Sequence, residues 1–285
     1  MFCRFRTFLV VMLAAVAGWP LLRTVRFSFT DAQLTALDSA HWVGLENFAA
    51  LLADPDWWHA VAVTLVFTVV SVGLEFALGL IVALVLDAPF LGRGALRAAM
   101  LIPWAVPTVV SAQMWRWMYN ESYGVINDLL LRLGLIQAPV AWLANDRTAI
   151  AAVIVTDVWK ATPFVALLLL AGLQNISEEL YDAAKIDGAG PLARFLRITL
   201  PLLRPAIAVA LIFRTLDALR VFDLIYVMTS NSRSTATISV YARQQLVDFQ
   251  DVGYGSAASS VIFVIIALAG IGYIAVLKPG FAVRA

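Results

Sequence analysis

The sequence predicts an all-α polytopic membrane protein with six transmembrane helices. Three observations carry that expectation. Of the 285 residues, 62% are hydrophobic and only 14% are charged, against about 25% charged in an ordinary soluble domain. Mean hydropathy is +0.86. The apolar residues also gather into runs of roughly 20, the length a helix needs to cross a bilayer core. Open sheet edges cannot face lipid, so the spanning elements are helices.

The runs are read in order as spans over about Phe8 to Phe29, His59 to Leu86, Leu96 to Trp117, Thr148 to Leu170, Ala206 to Met228 and Ser256 to Leu277. An arrangement with both termini in the cytoplasm places Arg4, Arg6, Arg93, Arg97, Lys185, Arg194, Arg197, Arg204, Lys278 and Arg284 inside. The stretch from Phe27 to Trp58 then lies outside and carries Asp31, Asp38, Glu46, Asp54 and Asp56 but no Lys or Arg, as the positive-inside bias requires. Arg23 and Arg26 can snorkel to the outer interface. Arg4, Arg6, the run from Phe8 and Ala15-Val16-Ala17 also imitate a signal peptide. Cleavage there would reverse the basic asymmetry, so the expectation is an uncleaved first span.

Net charge is +1, which excludes a basic nucleic-acid-binding character. The single Cys3 supports no disulfide framework, and His41 and His59 are too far apart for a helical ligand pair, so no metal site is expected. There is no phosphate-cradling G-x-x-x-x-G-K-[ST], no H-E-x-x-H and no G-x-S-x-G. A non-catalytic chain that holds no cofactor of its own is therefore expected.

The polar interruption from Ser177 to Pro205 separates the fourth and fifth runs. Ser177 is placed as an N-cap, with Glu178 and Glu179 in the first turn where the helix dipole favours negative charge. Gly188 and Gly190 should break that helix, and Pro191 should open a second short one. By spacing alone this is either a docking helix or an amphipathic connector. Before the second run, Trp42 to Phe48, Asp54-Pro55 and Trp57-Trp58 read as an interfacial segment. From Thr229 to Tyr254 a turn at Asn231 to Ser234 is followed by a short amphipathic stretch from Tyr241 to Phe249, and an exposed connector is the plain reading.

Charge inside the runs is the second signal. Glu75 lies in the second, Asp157 and Lys160 in the fourth, and Arg214, Asp217, Arg220 and Asp223 in the fifth. A charge facing lipid is costly, so these side chains should face a cavity or each other. The i, i+3 steps predict an Asp157–Lys160 pair and a ladder of alternating sign from Arg214 to Asp223 along one helix face. Such groups either bridge internally to fix packing or line a polar chamber. Charge-assisted hydrogen bonds from such groups suit the hydroxyls of a sugar, and an aromatic ring suits its apolar face.

Asp182-Ala183-Ala184, Asp187-Gly188-Ala189, Phe195, Ile198, Leu200-Pro201 and Pro205 resemble the EAA loop of bacterial ABC importer permeases, with Asp in place of the usual Glu. Trp42 to Phe48, Tyr123 to Asn127, Trp159 to Phe164, Ala171-Gly172-Leu173 and Phe213 to Arg220 extend the match from Pro20 to the sixth run. The chain resembles carbohydrate ABC importer permeases of the MalF type (maltose, glycerol-phosphate and trehalose), closest in flavour to the trehalose permeases. That resemblance implies a single transmembrane permease domain over residues 1–285 with the MetI-like core, in the bacterial cytoplasmic (inner) membrane. The coupling loop would lie at residues 177–205.

By position in the motif, the resemblance implies sugar contacts at Asp157, Lys160, Ala161, Phe164, Arg214, Asp217 and Ala218. It implies ATPase coupling through Glu179, Tyr181, Asp182, Ala183, Ala184, Asp187, Gly188 and Ala189. It implies as partners a second homologous permease, two ATP-binding subunits that carry ATP and Mg, an extracytoplasmic sugar-binding (lipo)protein and membrane lipid. Asp157 and Lys160 stand where the maltose pattern has an amide and an apolar residue, which favours another, trehalose-like disaccharide. Two other classes are weighed. One is a gradient-driven secondary transporter with Asp217 or Glu75 carrying protons or sodium, which should show internal repeats. The other is a membrane enzyme with Asp157 and Asp217 as catalytic acids. The chain shows no convincing repeat and no reaction-specific motif.

Overall fold

A computed structural model describes residue 12 and residues 14–281 of the chain. Among the described residues there is no strand, only the isolated bridges of Thr30 with Trp42 and of Gln33 with Asp251. Four helices among the described residues are long and apolar enough to cross a membrane: Pro55–Asp87, Asp146–Leu173, Pro191–Leu219 and Val252–Ala275. A fifth is counted if Arg93–Ala105 and Thr108–Met118, which meet at 89°, form one broken span. The first expected span begins outside the described residues, and its described end holds the short helix Trp19–Phe27.

Three of the expected spans are found, each a few residues longer than predicted, and two differ. The third is not straight, because Pro107 forces Val106 out of helical geometry (ψ 132) and splits the run. The fifth starts earlier and stops earlier. Pro191 does open a helix, but that helix is not short: it continues through a π-bulge at Phe195–Thr199 and past Pro205 to Leu219. Asp223–Thr229 is then a separate element, so Asp223 is not on the face that carries Arg214 and Asp217, and the predicted charge ladder stops at Arg220.

The chain divides into two compact units, one running up to Val63 and including Ala236–Ala267, the other Thr64–Thr235 with the chain from Leu268. In the first, Leu51, Trp57, Ala60, Ile238, Tyr241, Ala242, Ala258 and Ile262 form the core. Asp54 ties its polar edge together. One carboxylate oxygen accepts from the Asp56 N–H at 2.8 Å and so caps the Pro55–Asp87 helix, while the other accepts from the hydroxyls of Tyr241 and Tyr254. Burial works against the charged form of Asp54, but the donors Tyr241 and Asp56 outweigh it and hold its pKa below the ordinary value. The helix Ile238–Arg243 buries Ile238, Val240, Tyr241 and Ala242. This part of the Thr229–Tyr254 segment is therefore a core element rather than an exposed connector.

In the second unit Ala83, Leu86, Val165, Leu169, Leu170, Leu173, Leu203 and Ala210 pack together. Two glycines set the helix spacing here. A Cβ on Gly172 would meet Ala206 Cβ at 2.5 Å and Leu203 Cδ1 at 2.8 Å. Gly79 faces Val165 in the same way, with its Cβ 2.8 Å from Cγ1. Forcing a side chain into such a contact costs about 1–3 kcal/mol. Gly172→Leu should accordingly lower the thermal midpoint of the detergent-solubilised protein, whereas Gly73→Leu, with nothing within 4 Å of its Cβ, should leave it nearly unchanged. Equal midpoints for the two variants would remove the packing role.

Candidate functional site

Two interruptions of helical structure border a polar chamber in the second unit. The first is the break at Val106-Pro107. The second is the end of the Pro191–Leu219 helix, where Arg220 leaves helical geometry (φ −107). The Asp146–Leu173 helix runs unbroken beside them, Pro163 included. Helix ends expose carbonyls that need partners, and Lys160 supplies one: its Nζ donates to the Val106 carbonyl at 2.6 Å. A cation at a helix C-terminus also opposes the negative end of the dipole.

The cavity has a volume of about 770 Å³. Asp157, Lys160, Ala161, Phe164, Arg214, Asp217 and Ala218 all line it, so the structure brings together every residue expected at the sugar site. Arg220 and Asp223 join them in the wall. Aromatic rings cover one side. Trp104 stacks on Phe164 with centroids 5.9 Å apart, and Phe213 meets Phe164 edge-on at 6.3 Å. Of these rings the resemblance placed only Phe164 at the site; Phe213 belongs to the matched stretch without a site role, and Trp104 reads as an ordinary member of an apolar run.

Arg214 is the hub of the charges. Nε and Nη2 donate to the two carboxylate oxygens of Glu75 at 2.5 and 2.8 Å. Nη2 also donates to Asp157 at 3.1 Å, and Nη1 donates to Asp217 at 2.7 Å. Asp217 accepts in addition from Arg220 at 3.2 Å. The expected Asp157–Lys160 pair is thus replaced by Asp157–Arg214, with Lys160 turned to a backbone carbonyl. Glu75, which could have been site or packing, is fully buried and does not line the cavity. Paired carboxylates and guanidinium groups beside stacked rings can hydrogen-bond hydroxyls and cover an apolar ring face.

The Ser177–Pro205 loop forms a second, separate feature. The Ser177 Oγ accepts from the Glu179 N–H at 3.3 Å, the predicted N-cap. The helix Glu178–Ile186 ends in a Schellman motif: Ala189 N–H donates to the Ala184 carbonyl at 2.8 Å and Gly188 N–H to the Lys185 carbonyl at 3.0 Å. Gly188 sits at φ +75, the conformation that closes this motif. Tyr181 bonds Thr199 across the loop at 2.9 Å, and Asp182 pairs with Lys185 at 2.8 Å. Tyr181, Ala184 and Ala189 are half-buried, while Glu179, Asp182, Ala183, Asp187 and Gly188 are exposed. Leu180, Ile186 and Leu192 are exposed as well, Ile186 to 87%. Apolar side chains so placed on a polar loop suit a protein contact.

Comparison with known proteins places the chain in a family. The family model described as "Binding-protein-dependent transport system inner membrane component" matches residues 75–282. The trehalose/maltose transport system permease protein MalF of Thermococcus litoralis is 49% identical over 234 residues, which is 82% of this chain and 79% of that protein. The sulfoquinovosyl glycerol transport system permease protein SmoG of Agrobacterium fabrum is 41% identical over 255 residues, 89% of this chain and 82% of that one. Among solved structures, a chain of a bacterial alginate ABC transporter, in complex with its alginate pentasaccharide-bound periplasmic protein, superimposes with a TM-score of 0.83. It covers 99% of this chain and 95% of that chain at 21% identity, a likeness of fold. The resemblance to MalF-type permeases is borne out by these matches. The chain belongs to the family of binding-protein-dependent transport system inner membrane components.

Proposed function

We propose that this chain is a transmembrane permease subunit of an ATP-driven ABC sugar importer. With a second homologous permease it forms a heterodimeric path for a disaccharide, trehalose-like rather than maltose. The observation that carries the reading is the convergence of seven motif-derived residues, from two stretches far apart in sequence, on one aromatic-walled polar cavity. A relative named for trehalose and maltose supports the substrate class. The cavity wall carries three cations, Lys160, Arg214 and Arg220, and three carboxylates, Asp157, Asp217 and Asp223, a balance that suits a neutral polyol better than an anionic sugar.

On this reading the whole chain acts as one permease domain of six spans in the bacterial inner membrane, with both termini cytoplasmic. ATP and Mg are held by two partner subunits that dock on the Ser177–Pro205 loop through Glu179, Tyr181, Asp182, Ala183, Ala184, Asp187, Gly188 and Ala189. An extracytoplasmic binding (lipo)protein delivers sugar on the opposite side, near Asn231 to Ser234. Closure of the ATPase pair moves the loop and reorients the spans, a rigid-body transition between outward and inward access.

Asp217 tests the site directly. It is half exposed to the cavity and holds both Arg214 and Arg220. Asp217→Ala should cut sugar uptake at least about tenfold, the effect of one lost charge-assisted hydrogen bond, while the assembled complex is recovered. The solvent-accessible side of Asp217 lets the variant fold, since Arg214 retains Glu75 and Asp157. Normal uptake by the variant, measured with labelled trehalose in cells, would sink the assignment.

A further inference from the structure

Glu75 is the one member of the charge cluster with no access to the cavity, and its geometry gives it a specific task. It lies within the Pro55–Asp87 helix at 0% exposure. A carboxylate buried at this depth is costly unless it is paired and hydrogen-bonded. An apolar pair of similar volume would pack at least as well as a buried ion pair. Packing alone therefore does not account for a glutamate here.

We propose that Glu75 is a positioning residue of the sugar site, clamping the Arg214 guanidinium from behind so that Asp157 and Asp217 keep acceptor capacity for substrate hydroxyls. The role rests on the sugar reading above. Both oxygens of Glu75 engage the Nε–Nη2 edge of Arg214, the fork-to-fork arrangement that fixes the guanidinium plane. With that edge held, the outer Nη2 hydrogen reaches Asp157 and an Nη1 hydrogen reaches Asp217. A guanidinium has five N–H donors, so one Nη1 hydrogen is left over for a ligand.

Charge points the same way. Glu75 balances Arg214, so the two aspartates are not needed to neutralise it. Asp157 gives Arg214 only Oδ2, and Asp217 divides its two oxygens between Arg214 and Arg220. Each carboxylate has about four lone-pair positions, which leaves both able to accept from hydroxyls. Without Glu75 the bare Nε–Nη2 edge would turn toward Asp157 and Asp217, the remaining anions in reach, and occupy the positions that a sugar needs.

Glu75→Gln in the assembled importer, reconstituted with its binding protein and supplied with trehalose, tests this. Glutamine keeps one carbonyl acceptor but sets its amide N–H groups against those of Arg214. Arg214 still has two carboxylates, so the complex should be recovered in good yield. Trehalose imported per ATP hydrolysed should fall about tenfold, as expected for loss of a hydrogen bond to a charged group. Loss of yield with an unchanged ratio would mark a purely structural residue and overturn the proposal. Glu75→Asp, one methylene short of reaching both nitrogens, should fall between the two; a ratio equal to wild type would count against the clamp.

Cryo-electron microscopy of the Glu75→Gln complex reads the same point without sugar. A guanidinium swung toward Asp157 and Asp217 supports the clamp, and one left in place overturns it. If the wild type imports no trehalose, the substrate reading fails, and the image alone decides the role of Glu75.

Discussion

Arg214→Met is expected to leave little folded chain in the membrane, while Arg214→Met combined with Glu75→Leu restores the fold and not the uptake. The two ends of this ion pair are unequal. Glu75 is fully buried and accepts from Arg214 alone, whereas Arg214 has Asp157 and Asp217 as further acceptors. Deleting the arginine strands a carboxylate in a dry interior, at about 3–5 kcal/mol for a broken buried pair. That is a large share of the roughly 5–15 kcal/mol by which folded proteins exceed their unfolded states. Replacing both partners with apolar groups removes the stranded charge, a change that is often neutral or stabilising. Asp217 keeps Arg220 as its partner, and Asp157, at 12% side-chain exposure, still borders the cavity. A double-mutant cycle on the thermal midpoint and on the monodisperse fraction after extraction measures the coupling, expected at about 2–3 kcal/mol. A single variant as stable as the wild type, or a double variant no better than the single, would rule out Arg214 as the neutralising hub.

Much of this architecture was legible in the residues. Apolar runs located the second, fourth and sixth spans, Ser177 and Gly188 marked the ends of the loop helix, and charges inside apolar runs pointed to the cavity. What spacing could not supply was the choice of partner. The three-residue steps offered Asp157–Lys160 and a ladder to Asp223, because local periodicity lists the neighbours on one helix and nothing else. The observed partners come from elsewhere. Lys160 goes to the carbonyl freed by Pro107, and Asp157 goes to Arg214, more than fifty residues away. A carbonyl at a broken helix end and a desolvated guanidinium are both groups that cannot be left unmatched, so each outcompetes a local pairing. Trp104 and Phe213 carry no site role in the sequence reading for the opposite reason. An aromatic ring in an apolar run looks the same whether it faces lipid, core or ligand, and only the break at Pro107 brings Trp104 over Phe164. The Thr229–Tyr254 segment reads as an exposed connector on the general behaviour of loops; the burial of Ile238–Arg243 depends on Leu51, Trp57 and Ala258, which no local pattern links to it.

Gly188→Val should abolish ATP-driven uptake in a chain that still inserts and folds. A Cβ on Gly188 would meet nothing within 4 Å, so the substitution causes no clash and its effect comes from the backbone alone. At φ +75 a non-glycine residue costs roughly 1–2 kcal/mol, and more when branched at Cβ. The Schellman motif closed by Ala189 and Ala184 depends on that conformation. A valine there opens the motif, frays the end of the Glu178–Ile186 helix and redirects the chain into Pro191. Exposed Leu180, Ile186 and Leu192 then lose their common arrangement, although the long helices on either side keep their own packing. The ordering of substitutions separates this account from a general intolerance of the loop. Asparagine, which visits the left-handed region most readily among non-glycine residues, should retain most uptake, alanine less and valine least. Uptake should fall in step with the amount of ATP-binding subunit that co-purifies with the tagged chain. A valine variant that retains both its ATPase partner and its uptake would show that the loop's conformation does not carry the coupling. Loss of uptake with the ATPase subunit still bound would instead locate the defect in transmission of the movement rather than in docking.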